Sequence, residues 1–242
     1  MSSWAIGPLT DIQALALRLV LSLLLSGAIA WLAYRRRSLS QSGMYGAIGV
    51  GTITFGLGGW PWGLLLIAFF VTSSALSHYR QQQKDALAEH AAKTGRRDLG
   101  QVLANGGLGA ILAVWFALRG NSDLVFYFAF AGAIAAVNAD TWATELGILS
   151  RRKPRLVTTG EPVEAGTSGA VSWLGLAAAF AGAWLIGFLG LVFQIVQGRI
   201  LGVPPNLRLA WLPLVATLGG LMGAVSDSYL GATLQATYYC LH

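Results

Sequence analysis

Apolar stretches of about 20 residues recur along this chain, broken by short polar bursts, and that is the length a helix needs to cross a hydrocarbon core roughly 30 Å thick. The rhythm predicts about seven membrane spans. The first covers residues 12–34 and is closed by Arg35, Arg36 and Arg37, with Arg18 near its start placed to snorkel to the interface. Residues 43–59 form a second segment, short for a span, in which Gly43, Gly46, Gly49 and Gly51 admit close approach of another helix. Trp60-Pro61-Trp62 reads as a turn at headgroup depth and as the start of a third span reaching about residue 77.

A hydrophilic loop over residues 79–97 follows, and the alanine and charge content of its DALAEHAAK core suits a short surface helix. The fourth span, 98–119, begins polar: Asp98, Gln101 and Asn105 share one helical face, which should avoid lipid. After a turn at 120–122 a fifth helix runs to about residue 149. The second hydrophilic loop, 150–166, carries Arg151, Arg152, Lys153 and Arg155. A sixth span covers about 167–197, the loop to 209 holds Pro204-Pro205, and a seventh covers about 211–235. The expected fold is all-α, a polytopic transmembrane helical bundle forming a single integral membrane domain over residues 1–242.

Composition sharpens this reading. Apolar residues make up 55% of the chain and charged residues 11%, which excludes an ordinary soluble domain. The single Cys240 excludes an internal disulfide or a cysteine metal site within the chain. The first ten residues have neither a basic n-region nor a transit-peptide composition, so no cleaved targeting signal is expected. A net charge of +6 does not imply nucleic acid, because the bases sit between spans, where topology and anionic lipid or phosphate account for them. With the N-terminus outside, the inner loops hold Arg35, Arg36, Arg37, Arg80, Lys84, Lys93, Arg96, Arg97, Arg151, Arg152, Lys153 and Arg155, twelve of the sixteen bases. Arg119, Arg199 and Arg208 fall outside. The positive-inside rule therefore predicts cytoplasmic loops and a cytoplasmic C-terminus.

The sharpest anomaly is NADTWATELG, residues 138–147, where Asp140, Glu145, two threonines and Asn138 interrupt an apolar run. A carboxylate in a span costs roughly 2.5–3.5 kcal/mol on insertion scales, so these groups should face a wet cavity, hold a cation or pair with a base. Helix geometry sets Asp140 and Thr144 one turn apart on one side, with Thr141 and Glu145 an adjacent pair. Other polar clusters converge on the same inner face: 96–105, Thr167-Ser168 and 226–235. The three histidines lie outside the spans, so neither an acyl-enzyme base nor a zinc set is available. What remains is Asp140, Asp227, Glu145 and Asp98 as hard oxygen ligands, a dense set of bases, and glycine-rich helix starts. That is the equipment of magnesium-assisted phosphate chemistry. Gly166, Thr167 and Ser168 read as the amide-rich start of the sixth helix, an anion site. Simpler readings coexist: an ion pair of Asp140 with Arg96 or Arg97, glycines that only pack helices, and Gln101 and Asn105 as interhelical hydrogen bonds.

The strings TGRRDLGQVLANGG, NADTWATELG, GTSGAVSWLG and VSDSYLGATLQA, in this order and spacing, resemble the integral membrane family that contains plant phytyl-phosphate kinase of vitamin E synthesis and its animal and prokaryotic relatives. The resemblance runs from about Gly43 to the end of the chain. A more distant similarity, carried by Asp140, the 151–155 bases and 166–169, reaches phytol and dolichol kinases. The resemblance implies an enzyme of a prokaryotic cell membrane or thylakoid-type membrane that uses CTP to convert a prenyl monophosphate, phytyl or geranylgeranyl, to the diphosphate. Carried over residue by residue, it implies Asp140 and Glu145 at the metal and triphosphate, with Arg96, Arg97, Asp98 and Asn105 lining the same pocket. Mg2+ would be held by Asp140 with Asp227 or Glu145. Arg96, Arg97, Arg151, Arg152 and Lys153 would clamp phosphates, and Gly166, Thr167, Ser168, Thr144, Gln101 and Asn138 would line the nucleotide site. A lipid-phosphate carrier or flippase, or a CDP-lipid-forming cytidylyltransferase, is the alternative, and homo-oligomerisation stays open. Relatives continue past the position of Cys240 with a polar stretch and another span, so a group from such a helix is expected where one is present.

Overall fold

The structure, a computed structural model, describes residues 12–79, 96–120, 123–204 and 206–234. Seven helices account for most of them: α1 (Ile12–Arg35), α2 (Gln41–Ile53), α3 (Trp60–His78), α4 (Leu99–Leu118), α5 (Leu124–Gly147), α6 (Trp173–Ile200) and α7 (Leu212–Thr233). Six are long and apolar enough to cross a membrane, α7 together with the 3-10 turn Leu207–Trp211 that leads into it. The exception is α2. It has 13 residues and continues as a π-helical turn, Thr54–Gly58, before the chain reverses at Gly59, whose φ of 90° suits glycine. The architecture is an all-α polytopic bundle: among the described residues six helices have the length and apolarity of a span, and α2 with its π-helical turn makes a shorter seventh segment.

Polar residues fix where the helices begin. Ser40 accepts from the Gly43 amide at 3.1 Å at the start of α2. Asp123 accepts from the Val125 amide at 2.9 Å before α5, and Ser172 accepts from the Gly175 amide at 3.0 Å before α6. Each side chain satisfies one of the donors that a helix start leaves open. The sixth helix therefore starts at Trp173, not near residue 167. Residues 167–172 instead form a turn and the second strand of a two-residue antiparallel ribbon, β1 (Arg155–Leu156) with β2 (Ala170–Val171), in which Leu156 faces Ala170. The sequence Gly166-Thr167-Ser168-Gly169 cannot open a helix because Gly166 and Gly169 both take positive φ, 90° and 76°. The surface helix expected in DALAEHAAK, the turn residues Asn121 and Ser122, Pro205, Gln235 and Cys240 lie outside the described residues.

α5 is the centre of the bundle and packs against α3, α4, α6 and α7. Ala131, Ala135 and Ala139 are fully buried on it, and small side chains let the backbones approach, which is how helices associate where lipid offers no hydrophobic drive. Trp62 departs from expectation. It is 1% exposed and lies 4.5 Å from Phe130, 5.1 Å from Phe116 and 5.7 Å from Tyr127 by ring centroids, so it anchors the core instead of the headgroup region. Leu24, Val125, Trp184 and Met222 point outward, an apolar exterior that only lipid would cover. Successive helices alternate in direction. The C-terminal ends of α1, α3, α5 and α7 therefore meet the N-terminal ends of α2, α4 and α6 at one polar end of the bundle.

Candidate functional site at the polar end

The two carboxylates of α5 diverge. They are five residues apart, so they rise about 7.5 Å along the axis and turn by about 140°. Asp140 faces α7, where its carboxylate comes within hydrogen-bonding range of the Asp227 carboxylate. Glu145 faces α3 and accepts from the Ser77 hydroxyl at 2.5 Å. Asp140 thus pairs with another acid. The ion pair with Arg96 or Arg97 is not what these residues make, since it is Glu145 whose charge acts on Arg97.

A second polar cluster surrounds Arg97. Its backbone is pinned beside α2: the Arg97 amide donates to Ser38 O at 3.1 Å, and the Ser40 amide donates to Arg97 O at 2.9 Å. Gly43 permits this, because a Cβ there would overlap the Arg97 carbonyl. The guanidinium lies 5.7 Å from the Phe69 ring and 5.6 Å from Phe70, and one of its nitrogens donates to Ser74 Oγ at 3.4 Å. Burial pulls the Arg97 pKa below its ordinary value, and the Glu145 charge opposes that pull. Arg97, Asn105 and Ser26 are the polar residues lining a cleft otherwise walled by apolar residues of α1–α4 and the turns that join them. Arg96, next in sequence, is exposed.

Several expected site residues serve the fold. Asp98 accepts from the Gln101 amide at 2.9 Å while Gln101 Oε1 accepts from the Asp98 amide at 3.3 Å, a reciprocal capping box that starts α4. That engagement gives Asp98 and Gln101 a local role in starting α4. Asn138 is fully buried. Its Nδ2 donates to Gly182 O at 2.8 Å and its Oδ1 accepts from Thr72 at 3.2 Å, so it ties α5 to α6 and α3 at a position closed to solvent. Among the described residues no group of three or more His, Cys, Asp or Glu side chains could hold a metal, and of the four expected carboxylates the two that meet are Asp140 and Asp227. Thr144 is exposed on α5.

The basic loop is held over α7. Ser168 donates to Gly231 O at 3.0 Å, one turn beyond Asp227, and Gly169 lies so close to α7 that a Cβ would overlap Ala232. Thr167 donates to Glu164 O at 2.8 Å and Gly166 makes a turn, so these residues position the loop and do not present a helix N-terminus. Ser172 both caps α6 and donates to Gly147 O at 3.2 Å, which fastens the loop to the end of α5. Arg151 and Arg152 are exposed, Arg155 donates to Gly160 O at 2.7 Å, and Lys153 is paired with Glu164 at 2.6 Å. The hydroxyls of α3 are the contribution sequence reasoning missed. Thr72, Ser74 and Ser77 contact Asn138, Arg97 and Glu145, and the run Thr72-Ser73-Ser74 with Ser77 was their only signal.

Residues 24–242 match the integral membrane protein family DUF92. The chain belongs to that family. Protein PGR of Arabidopsis thaliana is 36% identical over 235 residues, covering 92% of this chain and 81% of that protein. An uncharacterized membrane protein of Methanocaldococcus jannaschii is 33% identical over 226 residues, 93% of this chain and 87% of its own length. The chloroplastic protein VTE6 of A. thaliana is 28% identical over 202 residues, 81% of this chain and 56% of that protein. No solved structure matches. The match and the six apolar helices make the chain an integral membrane protein, and the family resemblance read from the four motifs holds.

Proposed function

We propose that this protein transfers the γ-phosphoryl group of CTP to a prenyl monophosphate, phytyl or geranylgeranyl, at a polar end that faces the cytoplasm. The observation that carries the reading is the meeting of Asp140 and Asp227 beneath a basic loop fastened to the same helix at Gly231. Two carboxylates brought together in a bundle cost free energy unless a shared proton or a cation joins them, and a metal ion is the one that phosphate chemistry can use. Among the described residues neither forms an ion pair, and a pair of carboxylates suits Mg2+, which keeps several waters and completes its shell from substrate phosphates. Magnesium bound there would neutralise charge on the triphosphate.

The residues of the chain then have separate tasks. Asp140 and Asp227 hold the cation, and Arg151 and Arg152, exposed on the loop, attract and orient the polyphosphate. Arg97 and Asn105 receive the acceptor phosphate, and Glu145 and Ser77 keep the polar end of α3 in register with α5. An oxygen of the acceptor phosphate forms a bond to the γ-phosphorus as the bond to the β–γ bridging oxygen breaks, and CDP leaves with the electron pair. The attacking oxygen is already anionic near neutral pH, so no general base is needed, and positioning with charge neutralisation is the whole task. The prenyl acceptor is supported by the resemblance to the phytyl-phosphate kinase family and by the alignment with VTE6.

Purified protein given geranylgeranyl phosphate, Mg2+ and CTP labelled at either the α- or the γ-phosphate tests the reading. Label reaching the lipid product from the γ position alone is the expected outcome. Label from the α position would mean a cytidylyltransferase. Absence of either label in the lipid, with flux of prenyl phosphate across vesicles, would mean a carrier.

A further inference from the structure

The proposed reaction leaves open where the hydrocarbon chain of its lipid substrate goes, and one cavity of the bundle answers in its own chemistry. A narrow cleft of roughly 90 Å³ with an open mouth lies between α1, α2, α3 and α4. At about 10–15 Å³ for each water-sized sphere, that is room for a segment of one hydrocarbon chain and not for a whole lipid. Small side chains make the space: Ala30 and Ala33 on α1, Ala47 and Gly51 on α2, and Gly106 on α4. Phe55, Leu66 and Phe70 complete the apolar walls. The lining extends from Ala47 on α2 to Phe55 in the π-helical turn that continues it, about 12 Å of helix, so a long hydrocarbon chain would fill it and pass on into the bilayer.

Charge distinguishes this cleft from a packing defect. Its one charged lining residue is Arg97, and Asn105 and Ser26 are the other polar side chains of the lining. Asn105 is half-buried and has no hydrogen-bond partner among the described residues. Arg97 is held by backbone bonds to Ser38 and Ser40 and by the faces of Phe69 and Phe70, so its guanidinium is positioned by the fold and not by a ligand. An apolar slot with a fixed cation and an open amide matches an amphiphile with a single hydrocarbon chain and a phosphate head. A diacyl lipid would need room for two chains.

We infer that this cleft binds the prenyl phosphate, its chain between α1 and α4 and its phosphate on Arg97 and Asn105. The inference rests on the prenyl phosphate being the substrate, and it adds that acceptor and donor approach α5 from different sides. The acceptor chain enters from the Glu145 side against α3 and α4, the triphosphate comes from the Asp140 side against α7, and transfer requires the two phosphates to meet at the polar end of α5. Ala47 is then a chain-binding residue that the four motifs do not include.

A geranylgeranyl phosphate carrying a photoreactive group on its chain tests this on the full-length protein in detergent, with adducts located by peptide mass. The expected adducts lie on segments of α1–α4, near Ala30, Ala47 and Leu66, and are suppressed by unlabelled geranylgeranyl phosphate but at least tenfold less by geranylgeraniol or dioleoyl phosphatidic acid. Adducts confined to α5–α7, or equal competition by the alcohol or the diacyl lipid, would overturn it. In turnover, Ala47→Phe should raise KM for geranylgeranyl phosphate about tenfold and leave KM for CTP where it was, and an unchanged lipid KM would count against the site. Asn105→Leu, if Ala47→Phe does not fold, should weaken the competition by geranylgeranyl phosphate and not that by geranylgeraniol. Correct labelling with no γ-phosphoryl transfer by the wild-type protein would keep the cleft and sink the kinase reading, so the two ideas fail separately.

Discussion

Asn138→Leu separates a residue of the site from a residue of the scaffold. Leucine keeps the branching of asparagine at the γ-carbon and is larger, so the substitution removes hydrogen bonds without opening a cavity. The bond from Nδ2 to Gly182 O, 2.8 Å, is lost outright. Thr72 loses Oδ1 but keeps Ala68 O at 2.8 Å, so no hydroxyl is orphaned. Interhelical hydrogen bonds in membranes are worth about 0.6–1.7 kcal/mol each. The wall is also tight, since a Cβ on Gly182 would come within 3.1 Å of Nδ2, so the larger leucine adds strain. The total is roughly 1–3 kcal/mol, or a fall of about 3–8 °C in the melting temperature for a chain of this size. Thermal unfolding of purified wild-type and variant protein in one detergent, followed by the loss of the monodisperse peak, measures it. A KM for CTP close to wild type should accompany the fall. An unchanged melting temperature with lost nucleotide binding would refute the structural reading of Asn138.

Other expectations concern the elements that hold the polar end together. Ser172→Ala removes the cap of α6 and the bond to Gly147 O, and should lower stability by about 1–2 kcal/mol, read by the same melting assay. Gly43→Val drives a side chain into the Arg97 carbonyl, which should cost roughly 1–3 kcal/mol and reduce turnover by more than the loss of folded protein explains. Lys153→Ala breaks an exposed pair with Glu164 whose side chains are 67% and 82% accessible, so it should change stability by less than about 1 kcal/mol. A rise in KM for CTP in that variant would assign the lysine to the polyphosphate, and a fall in melting temperature of more than a few degrees would show that it braces the loop instead.

The spans were legible because apolar length is a strong signal, and their predicted ends fall within a few residues of the helices except where turn chemistry intervened. Residues 167–172 were assigned to α6 by their apolar continuation past Gly169. The positive φ of Gly166 and Gly169 and the cap at Ser172 moved that start to Trp173. Trp62 was placed at the interface on residue type alone. The ring cluster of Phe116, Tyr127 and Phe130 that recruits it is made of distant residues.

Within the site, the pairing of Asp140 with Asp227 was expected as one of two options, and spacing could not decide between Asp227 and Glu145. The choice depends on which neighbour each face of α5 meets, α7 or α3. Asp98 and Gln101 carry the spacing of a capping box, so their local role was readable at three residues' separation. Asn138 was not readable in that way. Its partners are 44 and 66 residues away, and a buried amide looks the same in sequence as a catalytic one.

The central claim is that the Asp140–Asp227 pair holds the divalent cation of a phosphoryl transfer. Its most direct measurement is the rate of γ-phosphoryl transfer from CTP to geranylgeranyl phosphate by Asp140→Asn and Asp227→Asn, each compared with wild type across a Mg2+ titration after folding has been verified by melting temperature. Both substitutions keep shape and remove charge. The account predicts that each lowers turnover by about 100- to 1,000-fold and shifts the Mg2+ requirement upward. Folded variants that turn over at the wild-type rate with an unchanged Mg2+ dependence would contradict it.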